Sequence, residues 1–370
     1  MDSYSRGFGM KVVMTAVAAL AVVAATAGAA AGGEDRGELR RGLDGVVAAG
    51  AVGALVEVRD ERGVWRVTSG VAELGKARPV PAEGRFRAGS ITKTFVATVV
   101  LQLAAEGRLR LDDPVEAWLP GAVPDGDSIT LRHLLNHTSG LYDVVRTLPM
   151  PPSQEFFANR WRTWTASELV ARAVAHPPTS ERPGTTFGYS NTGYALLGQV
   201  VEKATGRPYG VEIERRLLRP LRLHGTSLPG TSPHIPGPHP HGYVPRDTEG
   251  NLVDYTRMNP SVFGAGGELI STAADLNRFF EALLGGRLLP AHLLDQMRTP
   301  GVEGRRYGLG LAWWDTTCGL RVYGNDGDAL AYQSWSFMTP GRQVTLALTP
   351  NFSADLDDTV EAFLDDAFCG

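Results

Sequence analysis

Cysteine is scarce in this sequence: 370 residues contain only Cys318 and Cys369. Neither has a histidine nearby in sequence, which argues against a thiol catalyst. Histidine is also thin, with 8 in the chain, and no spacing resembles a metal-ligand set. His234, His239 and His241 fall in a Pro- and Gly-rich stretch and read as loop histidines, so no metal or other cofactor is expected. An excess of one charge is missing as well. The 36 Lys and Arg against 40 Asp and Glu leave a net charge of −4. That balance gives no reason to expect nucleic acid or an anionic membrane as partner. There is no internal repeat and no run of like charges. Beyond the N-terminus no apolar run is long enough to span a bilayer, so no stable membrane insertion is expected.

What is present is a chain rich enough in hydrophobic residues, at 43%, to bury a sizeable core. The N-terminus reads as a targeting segment. Arg6 and Lys11 supply a basic flank, Val12 to Ala25 an apolar run, and Ala27 to Ala31 two Ala-x-Ala patterns. The expectation is a signal peptide over residues 1–31, cleaved near Ala29 or Ala31, and a secreted mature protein. Export admits a disulfide between the two cysteines; two unpaired buried thiols are the alternative.

The patterning alternates. Glu34 to Ala49 has helical spacing, followed by strands at Val52–Arg59 and Val64–Val71 with a hairpin turn at Asp60–Gly63. Ser90 to Ala105 is helical, with Phe95, Val96, Val99, Val100 and Leu103 as its apolar stripe. Residues 111–261 hold helical stretches separated by irregular loops, with a surface loop at Pro229–Pro245. The C-terminal third predicts strands at Gly308–Asp315, Gly319–Gly324, Ala329–Met338 and Arg342–Pro350, then a closing helix over Asp357–Phe368. The expected architecture is α/β. An antiparallel sheet built from residues 32–110 and 262–370 is flanked by the terminal helices, and a mainly helical domain, 111–261, is inserted. A site would lie in the cleft between them.

Three elements carry chemistry. In Ser90-Ile91-Thr92-Lys93 the serine opens a helix and the lysine shares its face. A serine hydroxyl needs a base, and a lysine is one only if burial or positive neighbours lower its pKa. An ordinary helix-capping serine beside a solvated lysine is the plainer reading. Tyr189-Ser190-Asn191 offers a phenol that can pass a proton if a cation stabilises its ionised form, and an amide that can donate to a substrate carbonyl. Gly324-Asn325-Asp326-Gly327-Asp328 reads as a turn before a strand whose N–H groups can face an oxyanion.

In combination these resemble the ordered triple of the serine penicillin-recognising enzymes, in the Tyr-x-Asn form of class C β-lactamases, secreted D-alanyl-D-alanine carboxypeptidases and related esterases. Phe86–Lys93, Leu134–Leu141, Gly264–Gly267 with Ser271–Leu276, Tyr307–Leu311, Cys318-Gly319 and Ala367–Gly370 are similar to further blocks. The likeness covers nearly all of residues 34–370 and is strongest to the soluble secreted carboxypeptidase. The resemblance implies the β-lactamase/transpeptidase-like fold and a Cys318–Cys369 disulfide. It also implies Ser90 as acylated nucleophile, Lys93 as its partner, Tyr189 as proton carrier and backbone N–H groups of Ser90 and Asp328 as oxyanion hole. His137 and Ser139 would be fold residues. The candidate substrate contacts are Asn191, Asn325, Asp326, Gly327, Asp328 and Trp313.

The third motif departs from the family's Lys-Thr-Gly or His-Thr-Gly. Here it is Asn325-Asp326-Gly327, followed by Asp328. The basic residue that binds a substrate carboxylate in the carboxypeptidases is replaced by Ala312, followed by Trp313 and Trp314. Two unit charges 4 Å apart interact by about 4 kcal/mol at an effective dielectric of 20. Reversing the sign of the motif therefore disfavours carboxylate-terminated substrates and favours an amine, amide or ester, unless the acids pair with another cation or turn away. The expected function is an exported serine hydrolase or acyltransferase acting on a peptide or small molecule that needs no free carboxylate. An ordinary carboxypeptidase or β-lactamase, a transacylase and an inactive binding homologue are the alternatives.

Overall fold

A computed structural model describes residues 28–350, 352 and 355–370. The apolar run at residues 12–25, expected to be a signal peptide, lies outside the described residues. Helix α1 (Gly28–Ala48) leads into strands β1 (Ala51–Asp60) and β2 (Gly63–Gly70). The turn between them is tight, with Gly63 at φ 123° and the Arg62 N–H donating to Asp60 Oδ1 at 2.9 Å. Helix α2 (Thr92–Ala105) follows a 3₁₀ turn at Gly89–Ile91. The middle of the chain contributes helix α3 (Asn191–Thr205) and shorter helices, and α4 (Ala273–Leu284) returns to the sheet. Strands β3 (Ala312–Asp315), β4 (Arg321–Asp328), β5 (Gln333–Met338) and β6 (Arg342–Pro350) precede the closing helix α5 (Leu356–Cys369).

The six strands form an antiparallel sheet in the order β2-β1-β6-β5-β4-β3. Strand β1 is an inner strand buried along most of its length, and its alternation sorts its side chains between two layers. Ala54, Val56 and Val58 join Leu43 and Val46 of α1 and Val360, Phe363 and Leu364 of α5. Leu55 points the other way, into the larger core shared with α2, α3 and α4. Glu57 is the polar exception: 1% exposed, it accepts from Arg66 Nε at 2.8 Å and from Asn277 Nδ2 of α4 at 3.1 Å. The disulfide expected from the resemblance is present. It joins Cys318, in the β3–β4 turn, to Cys369 at the end of α5.

Three segments differ from the sequence reading. Asn325–Asp328 is not a turn: it is the second half of β4, paired with Gln333–Ser336 of β5. The turn comes later, at Ala329–Tyr332, closed by the Ala329 N–H to Tyr332 O at 2.9 Å. The local turn preference of Asn-Asp-Gly is overridden by cross-strand pairing. Gly308–Leu311 is a turn rather than the start of β3, with Gly310 at φ 75°. The Pro229–Pro245 loop ends in a short strand, Tyr243–Pro245, paired with Leu252–Asp254.

Candidate active site

Strand β3 begins only at Ala312, opposite Gly324, so Asn325–Asp328 are paired on the β5 side only. The open edge of β4 faces the Gly89–Ile91 turn. The approach is very close. A methyl group on Gly327 would lie 2.0 Å from Ala88 O and 2.8 Å from Ser90 N, and one on Gly89 would lie 2.7 Å from Asp328 N. Gly89 also sits at φ 52°. Both glycines are therefore required where strand and turn meet. The first N–H groups of a helical segment have no partner within it, and here they lie beside the N–H groups of a strand edge. Ser90 N and Asp328 N, which the resemblance pairs as an oxyanion hole, lie on either side of this close approach.

Ser90 is half-buried at the start of this helical segment. Its Oγ receives the Tyr189 phenol at 2.7 Å and meets Lys93 Nζ at 2.9 Å. Lys93 is fully buried. Its Nζ also donates to Asn191 Oδ1 at 2.7 Å and to Gly266 O at 2.6 Å. Burial pulls its pKa down to about 7, against the opposing pull of Asp143 and Asp326. Its charge is thus marginal at neutral pH, as a serine-activating base requires.

Tyr189 differs from the expectation. Burial, with Tyr307, Asp326 and Asp143 nearby, pushes its phenol well above the ordinary tyrosine range despite the bond to Ser90. Tyr189 is therefore a protonated phenol that donates to Ser90 Oγ in the resting site.

Asn191 is also differently employed. Its Nδ2 donates to both oxygens of Asp143, at 3.1 and 3.3 Å, and its Oδ1 accepts from Lys93. In the resting site the amide bridges Asp143 and Lys93. Asn325 is 1% exposed, below the floor of the cleft. Its Nδ2 donates to Thr94 Oγ1 at 3.0 Å, and its Oδ1 accepts from Asp326 N at 3.1 Å. It is a buried support and not a substrate contact. Trp313 is 7% exposed on β3, its ring 5.9 Å from Tyr323, and no contact ties it to Ser90, Lys93 or Tyr189. Asp326 does act on the centre, through the field it exerts on Lys93 and Tyr189. Asp328 is exposed at the end of β4, and desolvation by its neighbours, with the Asp326 charge adding, raises its carboxyl above the usual carboxylate range, to about 6. Its Oδ1 accepts from Leu330 N at 2.7 Å.

His137 supports the site without entering it, as expected. Fully buried at φ 59°, it accepts from Ser190 N at Nδ1, 3.2 Å away, and its ring lies 4.2 Å from that of Tyr189. Burial and the Lys93 charge hold it neutral. Among the described residues no group of His, Cys, Asp and Glu forms a metal cluster. Sequence reasoning missed Asp143, the Gly266 carbonyl and Thr94. Asp143 lies just past the Leu134–Leu141 block and was open to notice. A backbone carbonyl leaves no side-chain signal at all.

The Beta-lactamase family profile matches residues 34–367. The chain belongs to the Beta-lactamase family. Among the Beta-lactamase relatives, Penicillin-binding protein 4 of Amycolatopsis lactamdurans is 31% identical over 81% of this chain and 80% of its own. The D-stereospecific amidohydrolase from Streptomyces sp. is 40% identical, with TM-score 0.81 over 88% of this chain and 98% of its own. The D-amino acid amidase from Ochrobactrum anthropi SV3, complexed with L-phenylalanine amide, is 27% identical, with TM-score 0.79 over 91% and 99%. The fold is the α/β fold of this family, as the resemblance implied, and the protein is a serine hydrolase of the Beta-lactamase family.

Proposed function

We propose that this protein is an exported amidohydrolase that transfers the acyl group of a small amide or short peptide to Ser90 and then to water. Neutral Lys93 takes the Ser90 proton as Oγ bonds to the substrate carbonyl carbon. The N–H groups of Ser90 and Asp328 receive the developing oxyanion. Tyr189 gives its proton to the leaving nitrogen as the C–N bond breaks and recovers it from the Lys93 ammonium. Water then attacks the ester with the same groups acting in reverse, releasing the acid and restoring Ser90.

The observation that carries this reading is the fully buried Lys93 amine, its pKa near 7, held 2.9 Å from Ser90 Oγ. It also weighs against an inactive binding homologue, because burying an amine in this way is costly without a reaction to serve.

Substrate choice is read from charge. Asp143 and Asp326 are the charges that act on Lys93, and that amine, the cation bonded to Ser90, already meets three acceptors. Ala312, where the carboxypeptidases resembled here carry a base, is 4% exposed. Such a site favours a substrate with a free amine and no carboxylate. An amino-acid amide fits, and the names of the two solved amide-hydrolysing relatives support it. The second reading is a D-alanyl-D-alanine carboxypeptidase, favoured by the likeness to a penicillin-binding protein. A panel of D- and L-amino-acid amides against D-alanyl-D-alanine peptides decides between them. The expectation is higher kcat/KM for the amides by about 100-fold or more. The reverse order would establish the carboxypeptidase.

A further inference from the structure

Lys93 Nζ has three partners, and each has a distinct consequence. A charged ammonium donates three hydrogens, one each to Asn191 Oδ1, Gly266 O and Ser90 Oγ. The neutral amine has two hydrogens and one lone pair. Asn191 Oδ1 and Gly266 O, at 2.7 and 2.6 Å, are carbonyl oxygens and can only accept. They take the two hydrogens, and the lone pair is left aimed at Ser90 Oγ. This works only while Asn191 presents its oxygen to Lys93. Rotated by half a turn, the amide would present Nδ2, a donor that competes with Ser90 for the lone pair.

Asp143 decides the rotation. Its carboxylate accepts from Asn191 N at 2.9 Å and from Asn191 Nδ2 at 3.1 and 3.3 Å. An ionised carboxylate has no hydrogen to give, so the rotated amide would set oxygen against oxygen. We infer that Asp143 is a positioning residue that locks the Asn191 amide and thereby aims the Lys93 lone pair at Ser90. It also opposes the discharge of Lys93 through space. The other groups facing Lys93 are Asp326, the rings of Tyr189 and Tyr194 at 4.9 and 5.5 Å, and neutral His137.

This inference rests on the reading of Lys93 as the base for Ser90, and the test separates the two. Asp143→Asn is isosteric, and its amide oxygen can still accept from Asn191 N and Val145 N, so the chain fold is retained; a thermal melt checks it. The variant loses the acceptor-only partner, and Asn191 samples both rotations. The rate of Ser90 acylation should fall by about tenfold or more at its optimum, as when an acid that orients a base is neutralised. The acid limb of the pH profile should move to lower pH, because a charge that favours protonated Lys93 has gone. The double variant Asp143→Asn with Asn191→Asp restores the pattern with partners exchanged: an acceptor-only carboxylate now faces Lys93, and the amide introduced at position 143 donates to it. Acylation should recover at high pH, with the acid limb moved above that of the wild type. An Asp143→Asn enzyme with unchanged rate and limb, or a double variant no faster than the single at any pH, overturns the inference. If Ser90→Ala retains turnover, the reading beneath it fails instead.

Discussion

The two faces of the sheet are built on opposite terms. Behind it, α1 and α5 pack Leu43, Val46, Val360, Phe363 and Leu364 against β1 and β6, and the disulfide ties the end of α5 to the β3–β4 turn. That layer is apolar and conventional. In front, the same sheet supports a fully buried lysine, a buried neutral histidine at positive φ and a tyrosine forced to stay protonated. Each is unfavourable for stability and useful for chemistry. The contrast teaches that apolar packing on both faces supplies folding free energy, and that the site at the front uses part of it to hold reactive groups in place.

Substitutions should separate the two faces. The largest effect is expected from Lys93→Met. Hydrolysis should fall by about 10⁴-fold, because Ser90 loses its base. Stability should rise or hold, since an amine no longer needs to be buried. The sign follows from linkage. The folded pKa of about 7 lies below the ordinary lysine value of about 10.4. The destabilisation is therefore complete at and below pH 7 and disappears as pH rises through the unfolded pKa. The gain in Tm of Lys93→Met over wild type should shrink between pH about 7 and about 10. A lower Tm at pH 7 would break the comparison.

Phe363→Ala should do the opposite. A large ring that is 4% exposed is lost from the rear core, costing about 3–5 kcal/mol. The kcat of the surviving folded enzyme should be unchanged. Denaturant melts and active-site titration measure the two effects separately. Replacing both Cys318 and Cys369 by Ala should cost about 2–4 kcal/mol, again without altering kcat. The smallest effect concerns specificity. Asp326→Asn should raise acylation by carboxylate-bearing D-alanyl peptides by about tenfold, or about 1.4 kcal/mol, and move the acid limb to lower pH. Steady-state kinetics on paired free and amidated peptides checks it: the amidated peptide should lose its advantage in the variant.

Much of this is legible in the residues, for identifiable reasons. The hairpin β1–β2 and helix α2 declare themselves by periodicity, and Ser90 and Lys93 meet because one helical turn brings them together. The likeness to a known family links Tyr189 to them across 99 residues, which local patterning does not do. Asn325–Asp328 reads wrongly as a turn because a local preference is weighed without the partner strand. Trp313 is drawn into the site by its neighbourhood in sequence, whereas its strand directs the ring toward Tyr323. The roles of Asn191 and Asp143 depend on which way one amide points. No sequence pattern contains that, because it is fixed by partners 48 and 98 residues away.

The central claim is that Ser90 is acylated with neutral Lys93 as its base. The most direct test is labelling with a fluorophosphonate from pH 5 to 9, followed by trypsin and mass spectrometry of the peptide Ala88–Lys93. The account predicts a single adduct on Ser90 whose rate of formation climbs through pH about 7 and then levels. An adduct on another residue, or a rate indifferent to pH across that range, would contradict it.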